Sequence, residues 1–193
     1  MTMHSSLMSR TLLALALALA PAAHAQEAYT IDPRHTFPSF EVLHHGFSIQ
    51  RGRFNQTTGK VVLDRARQAG TVEIRIEAAS IDTGLDELEK VLRGPGFFDV
   101  ERHPLITFRA SKLRFDGDRL AGADGELTLL GVTRPVSLEV SLWKCGLYPP
   151  NRKQACGAEA GTRIRRSEFG MTGSLPGVAD EVRIAIQIEA FRD

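Results

Sequence analysis

The chain has 193 residues, 42% of them apolar and 24% charged, and its 24 Lys and Arg against 23 Asp and Glu leave a net charge of +1. That length suits one domain, and the charge balance excludes a generally basic nucleic-acid binder and an acidic solvating tail. Two cysteines are too few for a disulfide-scaffold miniprotein or a four-cysteine zinc site.

Residues 1–25 read as a cleavable signal peptide. Arg10 supplies a positive n-region, Thr11 to Ala20 is an apolar run of h-region length, and Pro21 stops a helix. Ala23-His24-Ala25 then offers small residues where a signal peptidase reads. A membrane anchor is the competing reading, but the run is short for a hydrocarbon core of about 30 Å. Residues 26–193 are expected to form one soluble domain exported to a bacterial periplasm.

From residue 28 onward apolar side chains recur every second residue, the period of a strand with one buried face. Weak alternation at Phe40/Val42/His44 and at Lys60–Asp64 is followed by a clear run at Val72, Ile74, Ile76 and Ala78. Leu85, Leu88 and Leu92 then change to helical spacing until Gly94-Pro95-Gly96 ends the segment, which predicts one short amphipathic helix. Strand periodicity returns at Ile106/Phe108/Ala110, Gly125–Leu130, Val136/Leu138/Val140/Leu142, Ala160–Arg166 and Val182 to Ala190. About eight antiparallel strands with one helix make either a sandwich or a closed barrel, and periodicity does not separate the two. Cys145 and Cys156 enclose the turn-like GLYPPNRKQA and are expected to pair as a loop staple in an oxidising compartment. Neither has the neighbouring His or short spacing of a catalytic thiol.

Few residues carry chemistry. No Gly-x-Ser-x-Gly, phosphate-cradling glycine loop or aromatic-plus-basic nucleic-acid face is present. His44 shares parity with Phe40 and Val42 and should point inward, whereas His45 should point away, so the two cannot chelate one ion together. A metal held by His35, His44 and His103 is the alternative to a single hydrogen-bonded His at the polar end of a pocket. Arg166 shares parity with Thr162 and Ile164, so it is expected inward, either as an ion-pair partner or as a head-group anchor. What remains is a large inward apolar inventory. It suits either an elongated hydrocarbon guest, at about 0.8 kcal/mol per buried methylene, or a barrel filled by its own side chains.

Several motifs resemble one family. Tyr29-Thr-Ile-Asp32 with His35-Thr36, Phe40-x-Val42-x-His44-x-Gly46-x-Ser48 and Gly52-x-Phe54 open the match. It continues through Ser80-Ile-Asp-Thr-Gly84, Phe97-Phe-Asp99 and His103-Pro104-x-Ile106-x-Phe108, then Leu127-Thr-Leu-x-Gly-Val-Thr133 and Arg166-Ser-Glu-Phe-Gly170. In this order they are similar to the YceI-like family. The resemblance implies an all-β, lipocalin-like antiparallel β-barrel of about eight strands with one short helix at one end. It also implies a polyisoprenoid, quinone precursor or other long-chain amphiphile held inside, and a cytochrome b561-type membrane protein as a partner. The chain departs from the family where its helix carries Val91 in place of a His, and at His103-Pro104 and Glu168.

The expected function is therefore a periplasmic lipid-binding carrier with no catalytic residue, metal or resident cofactor beyond the bound lipid. Phe40, Val42, Val72, Ile74, Ile76, Phe108, Leu138, Val140, Ile184 and Ile186 would line the tunnel, with His44 and Arg166 as polar contacts. The rival is an enzyme acting on a lipid or quinone precursor in the same barrel, for which a His44–carboxylate pair would supply acid–base chemistry.

Overall fold

The computed structural model describes residues 26–193, so the expected signal peptide lies outside the described residues. The strands are β1 (Glu27–Ile31), β2 (Phe37–His44), β3 (Ser48–Phe54), β4 (Thr57–Asp64), β5 (Ala69–Glu77) and β6 (Ile81–Asp82). Helix α1 (Asp86–Arg93) follows, then β7 (Leu105–Asp116), β8 (Arg119–Leu129), β9 (Val132–Leu147), β10 (Gln154–Arg165) and β11 (Val178–Arg192). Short 3-10 turns at Ala78–Ser80 and Arg166–Phe169 complete the order.

These segments make eight staves, because the first six strands work in pairs. β1 and β2 run in succession along β11, with Ile31 opposite Ala190 and Phe37 opposite Gln187. β4 and β3 lie against β1 and β2 in turn, and β5 and β6 lie against β4 and β3. From β5 the meander runs β7, β8, β9, β10 and β11, every pairing antiparallel. The β1–β11 pairing closes the ring. The sheet is thus a closed antiparallel barrel rather than a sandwich, with the two-residue β6 paired on one side only, to β3.

The break between β1 and β2 is pinned by polar groups that stand in for the missing ladder. Asp32 N–H donates to the Glu189 carbonyl at 2.8 Å, and Thr36 Oγ1 donates to the same oxygen at 3.1 Å. Asp32, whose side chain is 4% exposed, accepts from Arg34 Nε and Nη2, both at 3.0 Å, and lies 2.9 Å from His35 Nδ1. The hydrogen bonds from Arg34 foremost, and from His35, hold its carboxyl well below the usual carboxylate range against the opposing effect of burial.

Because successive staves alternate in direction, their connections sort to two ends. The β2–β3 turn, α1 with its following loop, the β8–β9 turn and the β10–β11 loop share the helix end. The β4–β5, β7–β8 and β9–β10 turns share the other, where Cys145 lies directly opposite Cys156 and is bonded to it. The pair is therefore a cross-strand link at the base of a hairpin. The helix spans Asp86–Arg93, with acidic residues in its first turn and Lys90 and Arg93 in its last, as the helix dipole favours. Leu85, expected on its apolar face, precedes the helix and is exposed, while Leu92 packs inward. Buried Glu89 accepts from Thr83 N–H, just past β6, at 2.9 Å and from Arg93 Nη2 at 3.0 Å, and Arg93 Nη2 also donates to the Ile81 carbonyl of β6 at 2.9 Å.

Candidate functional site

The inward faces of the staves enclose a cavity of about 230 Å³. Its lining runs from Phe97, Phe98 and Met171 at the helix end to Leu120, Trp143 and Ile188 toward the disulfide end. Along β11 alone it extends from Val178 to Ile188, roughly 33 Å of strand at the usual rise, or about 25 Å of barrel axis at ordinary tilt. So modest a volume over such a length is a bore, not a chamber. It falls below the roughly 300–1,000 Å³ usual for compact small-molecule pockets.

The bore is dry in character. Of its polar residues, Ser39 Oγ donates to the Ala185 carbonyl at 2.7 Å and Thr36 to that of Glu189, so neither has its donor free for a guest. Thr57 differs: it is 1% exposed, and its Oγ1 is buried with no hydrogen-bond partner. Small residues make the room, since β10 turns Ala158 and Ala160 inward where longer side chains would fill the axis. Beyond the disulfide end of the bore lies a polar layer in which Glu27 accepts from Arg65 Nε at 3.0 Å and Tyr29 Oη at 2.8 Å. Arg65 holds the Glu27 carboxyl below its ordinary value, while burial pushes the Tyr29 phenol up.

The residues expected to line the tunnel, Phe40, Val42, Val72, Ile74, Ile76, Phe108, Leu138, Val140, Ile184 and Ile186, all do so. Arg166 also reaches the lining, but not as an ion-pair partner. It is 3% exposed, and its guanidinium donates to four carbonyls: Ala179 at 2.9 Å, Met171 at 3.2 Å, Gly173 at 2.8 Å and Val178 at 2.9 Å. Four of its five N–H groups thus clamp the β10–β11 loop, and the head-group role expected for it is largely pre-empted. Burial lowers its pKa.

His44 is a correction. It ends β2 opposite Ser48, outside the cavity lining, with its ring edge-on to that of His45 at 4.5 Å between centroids. Alternation gave its side of the strand but not its depth along the barrel. His45 does not take the opposite face, because it leaves the strand at φ 49°. The three-histidine metal site is also excluded by geometry. His103 packs against Gly131 at the β8–β9 turn, whereas roughly 30 Å of extended chain separates His35 from His44. His35 instead brings a ligand atom within 4.8 Å of others on Asp32 and Glu189, and there Arg34 already grips both Asp32 oxygens.

Sequence reasoning missed Phe54, Phe97, Phe98, Leu92 and Trp143 as lining residues. The Phe97-Phe98 pair comes from a loop with no periodicity to follow. Its apolar doublet after Gly94-Pro95-Gly96 was the available signal.

Among the described residues, no helix is long and apolar enough to cross a membrane. Comparison with known proteins matches a YceI-like domain to residues 29–190. A UPF0312 protein of Pseudomonas aeruginosa is 34% identical over 192 residues, covering 96% of this chain and 100% of its own. The protein YceI of Salmonella arizonae is 33% identical over 191 residues, covering 98% and 99%. Among solved structures, Burkholderia cenocepacia BcnA superposes with a TM-score of 0.68 at 24% identity, covering 82% of this chain and 98% of that one. A domain from Saccharophagus degradans, described as polyisoprenoid-binding and implicated in plant cell wall breakdown, gives a TM-score of 0.62 at 15% identity, with coverage of 86% and 98%.

Proposed function

The chain belongs to the YceI-like family, and from that premise we propose that its barrel binds a long-chain amphiphile, a polyisoprenoid or quinone precursor, with the tail in the bore. The observation that carries this reading is the continuity of apolar lining along the barrel with almost no free polar group in it. Each methylene moved from water into such a lining is worth about 0.8 kcal/mol, so a long tail needs no special chemistry to be held. The polyisoprenoid-binding description of the Saccharophagus degradans domain supports the choice of ligand class.

The volume sets a condition on binding. At about 230 Å³ the bore is narrow, and entry at the helix end would pass Phe97 and Phe98, which line it there. A slim single chain fits this better than a compact fused-ring system. The protein then acts as a carrier or sequestering protein, exported by its N-terminal segment to the periplasm.

The enzymatic reading has less support. It needs an acid–base pair beside the guest, and His44, the residue named for that role, lies outside the lining. Purification under mild conditions followed by native mass spectrometry tests the proposal. A co-purifying long-chain species supports it. Its repeated absence, with no uptake of added polyprenyl lipid, overturns it in favour of a barrel filled by its own side chains.

A further inference from the structure

The β2–β3 hairpin ends in side chains that water does not favour. Leu43 and Ile49 face each other across the ladder and are 43% and 42% exposed, and Phe47 is 92% exposed. The turn beneath them is tight. His45 and Gly46 both have positive φ, and Phe47 N–H donates to the His44 carbonyl at 2.9 Å. Hairpin tips ordinarily carry Gly, Asn, Asp or Ser, so a bare phenyl ring here calls for a partner.

Below the tip the same outer face becomes charged. Glu41 stands opposite Arg51, with Arg53 two residues further along β3. Arg51 and Arg183 each reach Glu41 at 3.0 Å. Arg53 lies 3.8 Å from Asp82 and 4.7 Å over the Phe37 ring. Three guanidinium groups against two carboxylates leave this belt positive. The hairpin is also braced on the cover of the bore. His45 N–H donates to the Gly177 carbonyl at 2.7 Å, in the loop whose Met171 lines the cavity.

We propose that this tip docks the helix end of the barrel onto a lipid bilayer, with Leu43, Phe47 and Ile49 entering the acyl boundary and Arg51 and Arg53 at the level of the phosphates. The inference rests on the amphiphile-binding reading, since a bilayer is where such a guest resides. A protein partner fits less well. A stable interface buries about 800 Å² on each side around a packed core, which three side chains on a convex tip fall far short of. A bilayer deforms around single side chains and rewards each one separately.

The test is co-sedimentation of the purified protein with vesicles of three parts phosphatidylcholine to one part phosphatidylglycerol. The wild-type protein is expected to partition onto them, and Phe47→Ala to lower the partition coefficient about tenfold or more. Loading of a polyprenol presented in detergent should be unchanged in Phe47→Ala, which separates docking from cavity binding. No vesicle binding by the wild type, or equal binding by Phe47→Ala, overturns the docking role whatever the loading shows. A wild-type dimer that Phe47→Ala dissociates overturns it in favour of a second copy of the chain. Phe47→Trp guards against a folding defect in the alanine variant. Its indole emission should shift to shorter wavelength on adding vesicles, beyond any change from Trp143, and no shift counts against the proposal.

Discussion

Gly173 N–H donates to the Gly96 carbonyl at 3.0 Å, joining the β10–β11 loop to the loop that follows α1. Both loops carry side chains that cover the bore, Met171 from one and Phe97 and Phe98 from the other. The approach is close enough that only glycine fits: a Cβ at position 173 would stand 2.6 Å from the Gly96 oxygen and 2.9 Å from the Phe97 ring. Gly173→Ala should therefore part the two loops and raise the dissociation rate of a fluorescent long-chain lipid several-fold, with the thermal midpoint of the barrel little changed. An unaltered rate would place the exit elsewhere.

Arg166 offers a test of clamp against anchor. Arg166→Lys keeps the charge but has only a point ammonium where the guanidinium fork meets four carbonyls. Losing charge-assisted bonds to buried carbonyls should cost about 2–3 kcal/mol in urea denaturation. Lipid affinity of the still-folded fraction should fall only modestly. A stable variant with abolished affinity would make the side chain a head-group anchor after all.

Asp32 predicts how stability responds to acid. Its carboxyl is held below the ordinary range, chiefly by Arg34, so its folded value lies under its unfolded one. The linked stability is fully present above about pH 4 and is lost as pH falls through the folded value. Asp180 adds to the same limb, lowered chiefly by the Ser167 backbone N–H. Unfolding free energy measured between about pH 2 and 6 should drop toward acid, and Asp32→Asn should flatten that drop while lowering stability at neutral pH.

Removing the cross-strand link should be costly but not fatal to the fold. Cys145 and Cys156 are 11 residues apart in sequence, and closing a loop of that size is worth about 3 kcal/mol in the chain-entropy account. The Cys145→Ser/Cys156→Ser double variant should lose about that much in chemical denaturation while keeping the far-ultraviolet signature of the barrel.

The strongest strands were legible because their outer faces are charged. Glu73 and Arg75 in β5, and Arg183, Gln187 and Glu189 in β11, leave one side on which apolar residues can hide. β1 and β3 were not resolved as separate strands: β1 is five residues long, and β3 sets Gln50 and Gly52 between its outward residues. Closure itself was invisible, because it depends on β1 meeting β11 across 163 residues from Tyr29 to Arg192, a relation that local periodicity does not encode. The same limit explains the site. Parity put Phe40, Val72 and Ile184 on the inside, and they line the bore. It also put His44 and Arg166 inside, yet both stand at strand ends, where depth along the axis and loop contacts decide their roles.

The central claim is that the bore admits a foreign hydrocarbon tail, and a plugged variant tests it most directly. Ala160 is buried and faces the axis, so Ala160→Phe should fill the bore, with thermal unfolding confirming that the variant still folds. Native mass spectrometry of the two proteins, each purified under mild conditions and then offered polyprenyl lipid, is the decisive measurement. The wild type should carry one long-chain molecule per barrel and Ala160→Phe none. An empty wild type that refuses the added lipid, or a plugged variant that takes it up equally well, would contradict the account.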